Sequence, residues 1–287
     1  MYKLIKYVTI FFIVLTLLGY LFSIFPYEIR YGIKSNQLFF SHPTFLSAVC
    51  EFIFVVVAMS KVLTEKDKML LMGTLLFLIV STLRSKAFVF AFLAVIIYYL
   101  IIIKNKKINM KIILISAILS GIICFNQIRF YFLNESDVTA RSALITTSIK
   151  IANDHLPFGS GFGTFGSHAS KVNYSPIYGK YNIDNVWGLS QLDGGAFISD
   201  NFWPMILGQF GYIGFIAYVL IVICLFTLIQ RQYSKSGFNY IYYAGIMSLM
   251  YLLISSTSES AFVNPLSIMF ALVMGYCISD NREKNRR

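Results

Sequence analysis

Apolar runs long enough to cross a bilayer recur along this chain, and clusters of lysine and arginine separate them. That pattern constrains the fold more than any single residue. A helix crossing the hydrocarbon core takes about 20 apolar residues. Candidate spans are Leu4 to Phe25, Leu38 to Met59, Met69 to Leu83, Ala87 to Ile103, Ile112 to Phe125, Phe202 to Ile229, Phe238 to Ile254 and Ala261 to Ile278. With 57% hydrophobic and 13% charged residues, a soluble domain of 287 residues could not hide so much apolar surface. The expectation is an all-α, polytopic helical membrane protein with eight transmembrane helices, forming one integral membrane domain over 1–287. The third and fourth runs are short enough to be one hairpin turning at Arg84-Ser85-Lys86.

The formal net charge of +11 would prompt a test for nucleic-acid binding on a soluble protein. Here the cations sit between apolar runs, so they report topology and no nucleic-acid partner is expected. With the N-terminus inside, Lys3 and Lys6, the Lys61 to Lys68 connection, Lys104 to Lys107 with Lys111, the Arg231 to Lys235 turn and the Arg282 to Arg287 tail all face the cytoplasm. Both termini are then cytoplasmic, and the lipid bilayer is the first partner. The four cysteines, Cys50, Cys124, Cys224 and Cys277, fall inside or at the ends of apolar runs and read as small buried hydrophobes.

One long polar stretch, 126–201, interrupts the pattern and is expected outside the membrane. It holds His155, His168 and the glycine-rich Phe158-Gly-Ser-Gly-Phe-Gly-Thr-Phe-Gly166. Asp137 to His155 reads as an amphipathic helix capped by Asp137 or Thr139 and stopped by Pro157 and Gly159. Leu144, Ile145, Ile149 and Ile151 would form its apolar side, and Arg141, Ser142, Lys150 and Asp154 its polar side. Glycines Gly159, Gly161 and Gly163 either approach a ligand or turn the chain tightly; the run lacks the Gly-Lys-Ser/Thr of a phosphate loop. Asn173 to Phe197 is rich in tyrosine, amides and Trp187, which suits sugar rings and equally an interfacial belt.

Several charges need a reason. Arg84 and Lys86 sit between two short apolar runs, either as snorkelling interfacial cations or as phosphate ligands. Arg129 and Arg141 share their expected side of the membrane, so three guanidinium groups face outward together. Asp200 and Asn201 precede the sixth span; Asp200 is a helix cap or a base at a cavity mouth. Glu51 lies mid-span, where a charge costs roughly 2.5–3.5 kcal/mol, so it should face the bundle interior. His42 reads as interfacial, and His155 as a helix C-terminal cap. No histidine has ligand spacing for zinc, so neither a metal nor another cofactor is expected.

Three stretches resemble the O-antigen ligase/polymerase superfamily. They are Thr82-Leu-Arg84-Ser-Lys-Ala-Phe88, then Ala140-Arg141-Ser-Ala-Leu144 with Ile151 through Phe165, then Ser199-Asp200-Asn201-Phe202 through Gly214. They occur in the family's order around one large outer loop, within roughly Met69 to Cys277. The resemblance implies a GT-C-like, metal-independent glycosyltransferase of the bacterial cytoplasmic (inner) membrane. Its substrates would be undecaprenyl-diphosphate-linked glycans as donor and acceptor, with a chain-length regulator as a further partner. Ligases usually carry His at the position of Asp200, so the resemblance implies the polymerase branch, which joins repeat units into O-antigen, capsular or exopolysaccharide. The ligase of the same superfamily is the alternative, as is a lipid-linked glycan flippase. Arg84 and Arg141 would hold the diphosphate, Asp200 would be the base and His155 its reserve. Arg129, Lys86, Gly159, Gly161, Gly163 and Asn201 would bind substrate. Family members have more spans than eight, so the chain is expected to be a short or truncated member.

Overall fold

The computed structural model describes residues 2–123, 125, 129, 138–234 and 239–284. Asn126 to Ile128 and Asp137, expected to open the outer loop, lie outside the described residues, as do Cys124, Lys235 and Phe238. The described chain is mostly helical and divides into two compact units.

The first unit comprises 1–123, 227–251 and 268–287. Its helices are α1 (Tyr2–Phe22), α2 (Pro43–Ala58), α3 (Glu65–Ser81), α4 (Ser85–Tyr98), α5 (Met110–Ile123), most of α10 (Tyr240–Ser255) and most of α11 (Ser267–Lys284). A π-helical turn over Tyr99–Ile103 extends α4. Among the described residues three helices are long and apolar enough to cross a membrane: Lys3–Phe22 in α1, Ser85–Ile103, and α9 (Phe202–Gln230). These are the helices of a multi-pass membrane protein. Pro43–Ala58, Lys111–Ile122, Tyr240–Ser255 and Ser267–Ser279 are apolar but shorter.

Local chemistry shortens them. Pro43 starts α2, and the His42 ring accepts from the Thr44 amide through Nδ1 at 3.2 Å, so Leu38 to Ser41 stay outside the helix. Proline suits the first helical turn, where its missing N–H has no partner to lose. Leu83 takes φ +51°, which ends α3 and separates it from α4. The third and fourth runs are therefore two helices joined by a tight turn.

A two-stranded hairpin, β1 (Ile29–Arg30) and β2 (Ile33–Lys34), adds to the expected all-α fold. Tyr31 and Gly32 turn it with φ of +52° and +75°, as a two-residue primed turn requires. Behind it, buried Asn36 donates to Thr16 Oγ1 at 2.9 Å and to Ser81 Oγ at 3.0 Å, tying α1 to the end of α3. Glu51 is buried in α2 and accepts from Ser47 Oγ at 2.8 Å, meeting the expectation that a mid-span acid faces inward.

The second unit comprises 124–226 and 252–267. It contains α6 (Ala140–Asp154), α7 (His168–Val172), α8 (Ile177–Lys180), nearly all of α9 and a 3₁₀ turn at Ala261–Val263. Thr139 caps α6, its hydroxyl accepting from the Ser142 amide at 3.3 Å. The buried face of α6 is built from small residues, Ala140, Ala143, Thr147, Ser148 and Ala152, with Leu144 and Ile151. Ile149, expected on the apolar side, is 44% exposed. The small side chains let Phe165, Tyr178, Leu189 and Ile198 close onto the helix, so the polar stretch has its own core. Along α9, Ile213, Ile216, Leu220 and Ile221 are each at least half exposed, a surface suited to lipid.

Candidate functional site

Arg141 sits in the first turn of α6, and Asp200 ends the loop that leads to α9. The structure brings them together, with Arg141 Nη2 3.6 Å from Asp200 Oδ2. Both side chains are partly solvated, at 21% and 28% exposure. Each is also set by its backbone. Thr139 fixes the start of α6. On the other side the Asp200 amide donates to Phe197 O at 3.2 Å, and Ser260 Oγ holds Ser199 O at 2.9 Å. Asn201 is buried; with its amide nitrogen turned inward it donates to Thr257 O at 2.9 Å and to Asp200 O at 3.1 Å. Its amide thus anchors the approach to α9, next to the Trp203 indole, which donates to Ser256 Oγ at 2.9 Å. A partly solvated ion pair at this distance is worth about 0–1 kcal/mol. Its chemistry, a guanidinium fork beside a carboxylate, therefore exceeds its structural value.

His155 lies at the other end of α6. It is the C-cap residue, and its Nδ1 is 3.1 Å from Ile151 O, which requires the proton on Nδ1. At 1.5 Å per residue the helix separates it from Arg141 by about 20 Å. His155 and the Arg141–Asp200 pair do not meet at one reacting atom, so the reserve base belongs to the cap. Arg129 is exposed.

The glycine run is docked on α9. The Ser160 and Gly161 amides donate to Gly208 O and Gln209 O, each at 2.9 Å, and the Gly163 amide donates to Gln209 Oε1 at 2.8 Å. α9 breaks at this place, where Gly211 takes φ +62° and ψ −162°. A Cβ on Gly159 would stand 2.5 Å from the Gly211 nitrogen, and one on Gly211 would stand 2.3 Å from Pro157 O. Backbone meets backbone, which accounts for glycine at these positions without a ligand. Gln209, which lies in the third resembling stretch but has no role assigned from sequence, is the side chain that clamps the run; it is buried, and its amide also donates to Phe165 O.

Arg84 and Lys86 lie in the first unit, at the start of α4. Arg84 Nη2 donates to both oxygens of Glu28, at 3.1 and 3.0 Å, and the arginine side chain is 11% exposed. Glu28 also takes Arg30 Nε at 3.2 Å. Burial pushes the Glu28 carboxyl up, but the Arg84 and Arg30 guanidiniums outweigh that and hold it below the usual carboxylate range. Burial and the Arg84 charge press His42 below the usual imidazole value, with Glu28 opposing them. Sequence reasoning missed Glu28. The signal was the alternation Ile29, Ile33 around Tyr31-Gly32, which marks a hairpin and places Glu28 at its base.

The class the geometry supports is a helical, membrane-embedded protein with a folded polar unit that presents an arginine–aspartate pair. Comparison with known protein families finds no match to this chain, and comparison with curated proteins finds none.

Proposed function

We propose that this chain is a membrane glycosyltransferase of the O-antigen ligase/polymerase kind, working as a polysaccharide polymerase with eight spans in the bacterial cytoplasmic membrane. It takes a glycan from an undecaprenyl diphosphate donor on the outer face and passes it to the terminal sugar of a second lipid-linked repeat unit. The observation that carries the reading is the Arg141–Asp200 pair, 3.6 Å apart and partly solvated on the folded polar unit.

The pair supplies two functions in sequence. At rest Arg141 holds the Asp200 carboxylate. A donor diphosphate offers the guanidinium more negative charge and a better bidentate match than one carboxylate. As Arg141 turns to the phosphate oxygens, its hold on the Asp200 carboxylate loosens. The acceptor hydroxyl oxygen then attacks the anomeric carbon, and its proton passes to Asp200. The bond from that carbon to the diphosphate oxygen breaks, and undecaprenyl diphosphate leaves with the electron pair. Arg141 stabilises that developing charge, a contribution of roughly several kcal/mol for one preorganised donor. In the other unit Arg84, with Lys86 in the same helical turn, is an anion-binding group that Glu28 occupies in the resting protein.

The test is chain growth in a host lacking its own polymerase. Arg141→Ala and Asp200→Asn each leave the protein in the membrane and stop growth at single repeats on the acceptor. Polymer accumulating on its lipid carrier instead assigns the chain to the ligase branch. Wild-type polymer in both variants removes the proposal.

A further inference from the structure

Where α2 ends and α3 and α10 begin, the first unit has an open cavity of about 340 Å³. Ser60, Lys61, Leu63, Glu65, Lys68 and Tyr240 line it. Lys68 is the unusual member, for it is 2% exposed. Lysine is almost never so buried unless paired. Its Nζ lies 3.2 Å from Glu65 Oε1 and 3.6 Å above the centre of the Tyr240 ring, and the Tyr240 hydroxyl donates to the other Glu65 oxygen. The carboxylate that balances it is itself 56% exposed. An ammonium has three N–H donors, of which these contacts engage two.

The cavity's field is positive. Lys61 and Lys68 outnumber Glu65, and two helices, α3 and α10, start at its wall with the partial positive charge of their N-terminal ends. Val62, Met69 and Leu70, which follow Lys61 and Lys68 in sequence, do not line the cavity and are 77%, 61% and 69% exposed, apolar surface of the same unit. The cationic lining matches an anionic group, and the exposed aliphatic surface of a membrane-embedded chain favours an amphiphile as its carrier. We propose that this cavity binds the phosphate headgroup of an anionic phospholipid, with Lys68 and Lys61 on the phosphate. The volume falls at the small end of ligand-sized pockets, roughly 300–1,000 Å³. The positive charge pattern expects this end at the cytoplasmic face, where anionic lipid is concentrated. The site is independent of the glycosyl-transfer reading.

The test uses the full chain purified in neutral detergent, by thermal unfolding and native mass spectrometry. Phosphatidylglycerol, phosphatidylcholine and inorganic phosphate are the probes. Phosphatidylglycerol is expected to raise the unfolding temperature and remain bound as one copy, while the other two do neither. Lys68→Gln should remove the shift. Lys61→Gln, on the exposed rim, should weaken phosphatidylglycerol binding about fivefold and reports alone if Lys68→Gln does not fold. Equal stabilisation by phosphatidylcholine, a full shift from inorganic phosphate, or an unchanged affinity in Lys61→Gln would overturn the assignment.

Discussion

Arg141 and Asp200 form a partly solvated ion pair at 3.6 Å, joining the first turn of α6 to the residue pair that opens α9. A solvent-accessible pair too far apart for a close hydrogen bond adds about 0–1 kcal/mol to stability. Arg141→Ala and Asp200→Asn should therefore unfold within about 1 kcal/mol of the parent while losing polymer growth. Equal losses of stability and activity in denaturant titrations would make the pair structural. If Arg141 alternates between carboxylate and diphosphate, Arg141→Lys retains charge but not the bidentate fork and should keep only a small fraction of activity.

The Gly159–Gly211 approach gives a stability prediction that does not depend on substrate. Gly159→Ala places a Cβ 2.5 Å from backbone and adds a left-handed conformation at φ +73°, so the run should lift from α9. Gly194→Ala, at φ +65° with nothing within 4 Å, should cost only the conformational term of about 1–2 kcal/mol. Limited proteolysis at 158–166 should be faster in Gly159→Ala and unchanged in Gly194→Ala. Identical cleavage in the two variants would show that the glycines serve conformation alone.

The hairpin end of the first unit should weaken as pH falls. The Glu28 carboxyl lies below its ordinary value in the folded chain, so its contribution is present above about pH 4.5 and fades as pH drops through the lowered value. His42 is also lowered, so the unfolded chain takes its proton first, and stability is lost as pH falls from about 6.5. The protection of amides 29–36 against hydrogen exchange, taken relative to the intrinsic rate at each pH, should fall on acidification. His42→Gln should remove the upper part of that dependence, and Glu28→Gln the lower. A pH-independent protection factor would refute both assignments.

Hydropathy located the helices because lipid-facing surface is written along the chain, as Ile213, Ile216 and Leu220 show. It overran their ends, because a run such as Leu38 to Met59 stays apolar through the turn before Pro43. Thr139 as cap and Pro157 as stop were legible from local chemistry. The buried face of α6 was not. Ala143, Thr147 and Ser148 are chosen for close approach, while Ile149 faces out, and periodicity of large apolar residues does not detect small ones. Arg141 and Asp200 were legible singly, but their pairing depends on how the loop between them folds. Gln209 and Glu28 act through partners remote in sequence, which a local pattern does not mark.

Topology offers a direct check on the side of the membrane. In a chain with its native cysteines replaced by serine, Asp184→Cys should react with an impermeant thiol reagent in intact cells. Lys66→Cys should react only after permeabilisation. The opposite labelling would place the polar unit in the cytosol, away from any exported donor.

On the proposed function, the Arg141–Asp200 pair supports transfer of glycan between lipid carriers. The most direct measurement is turnover by the purified chain in liposomes loaded with undecaprenyl-diphosphate repeat units and no added metal. A ladder of lengthened glycan, with one undecaprenyl diphosphate released per bond and none with Asp200→Asn, is the expected result. Folded protein that leaves the donor unchanged, or an Asp200→Asn ladder equal to the parent's, contradicts it.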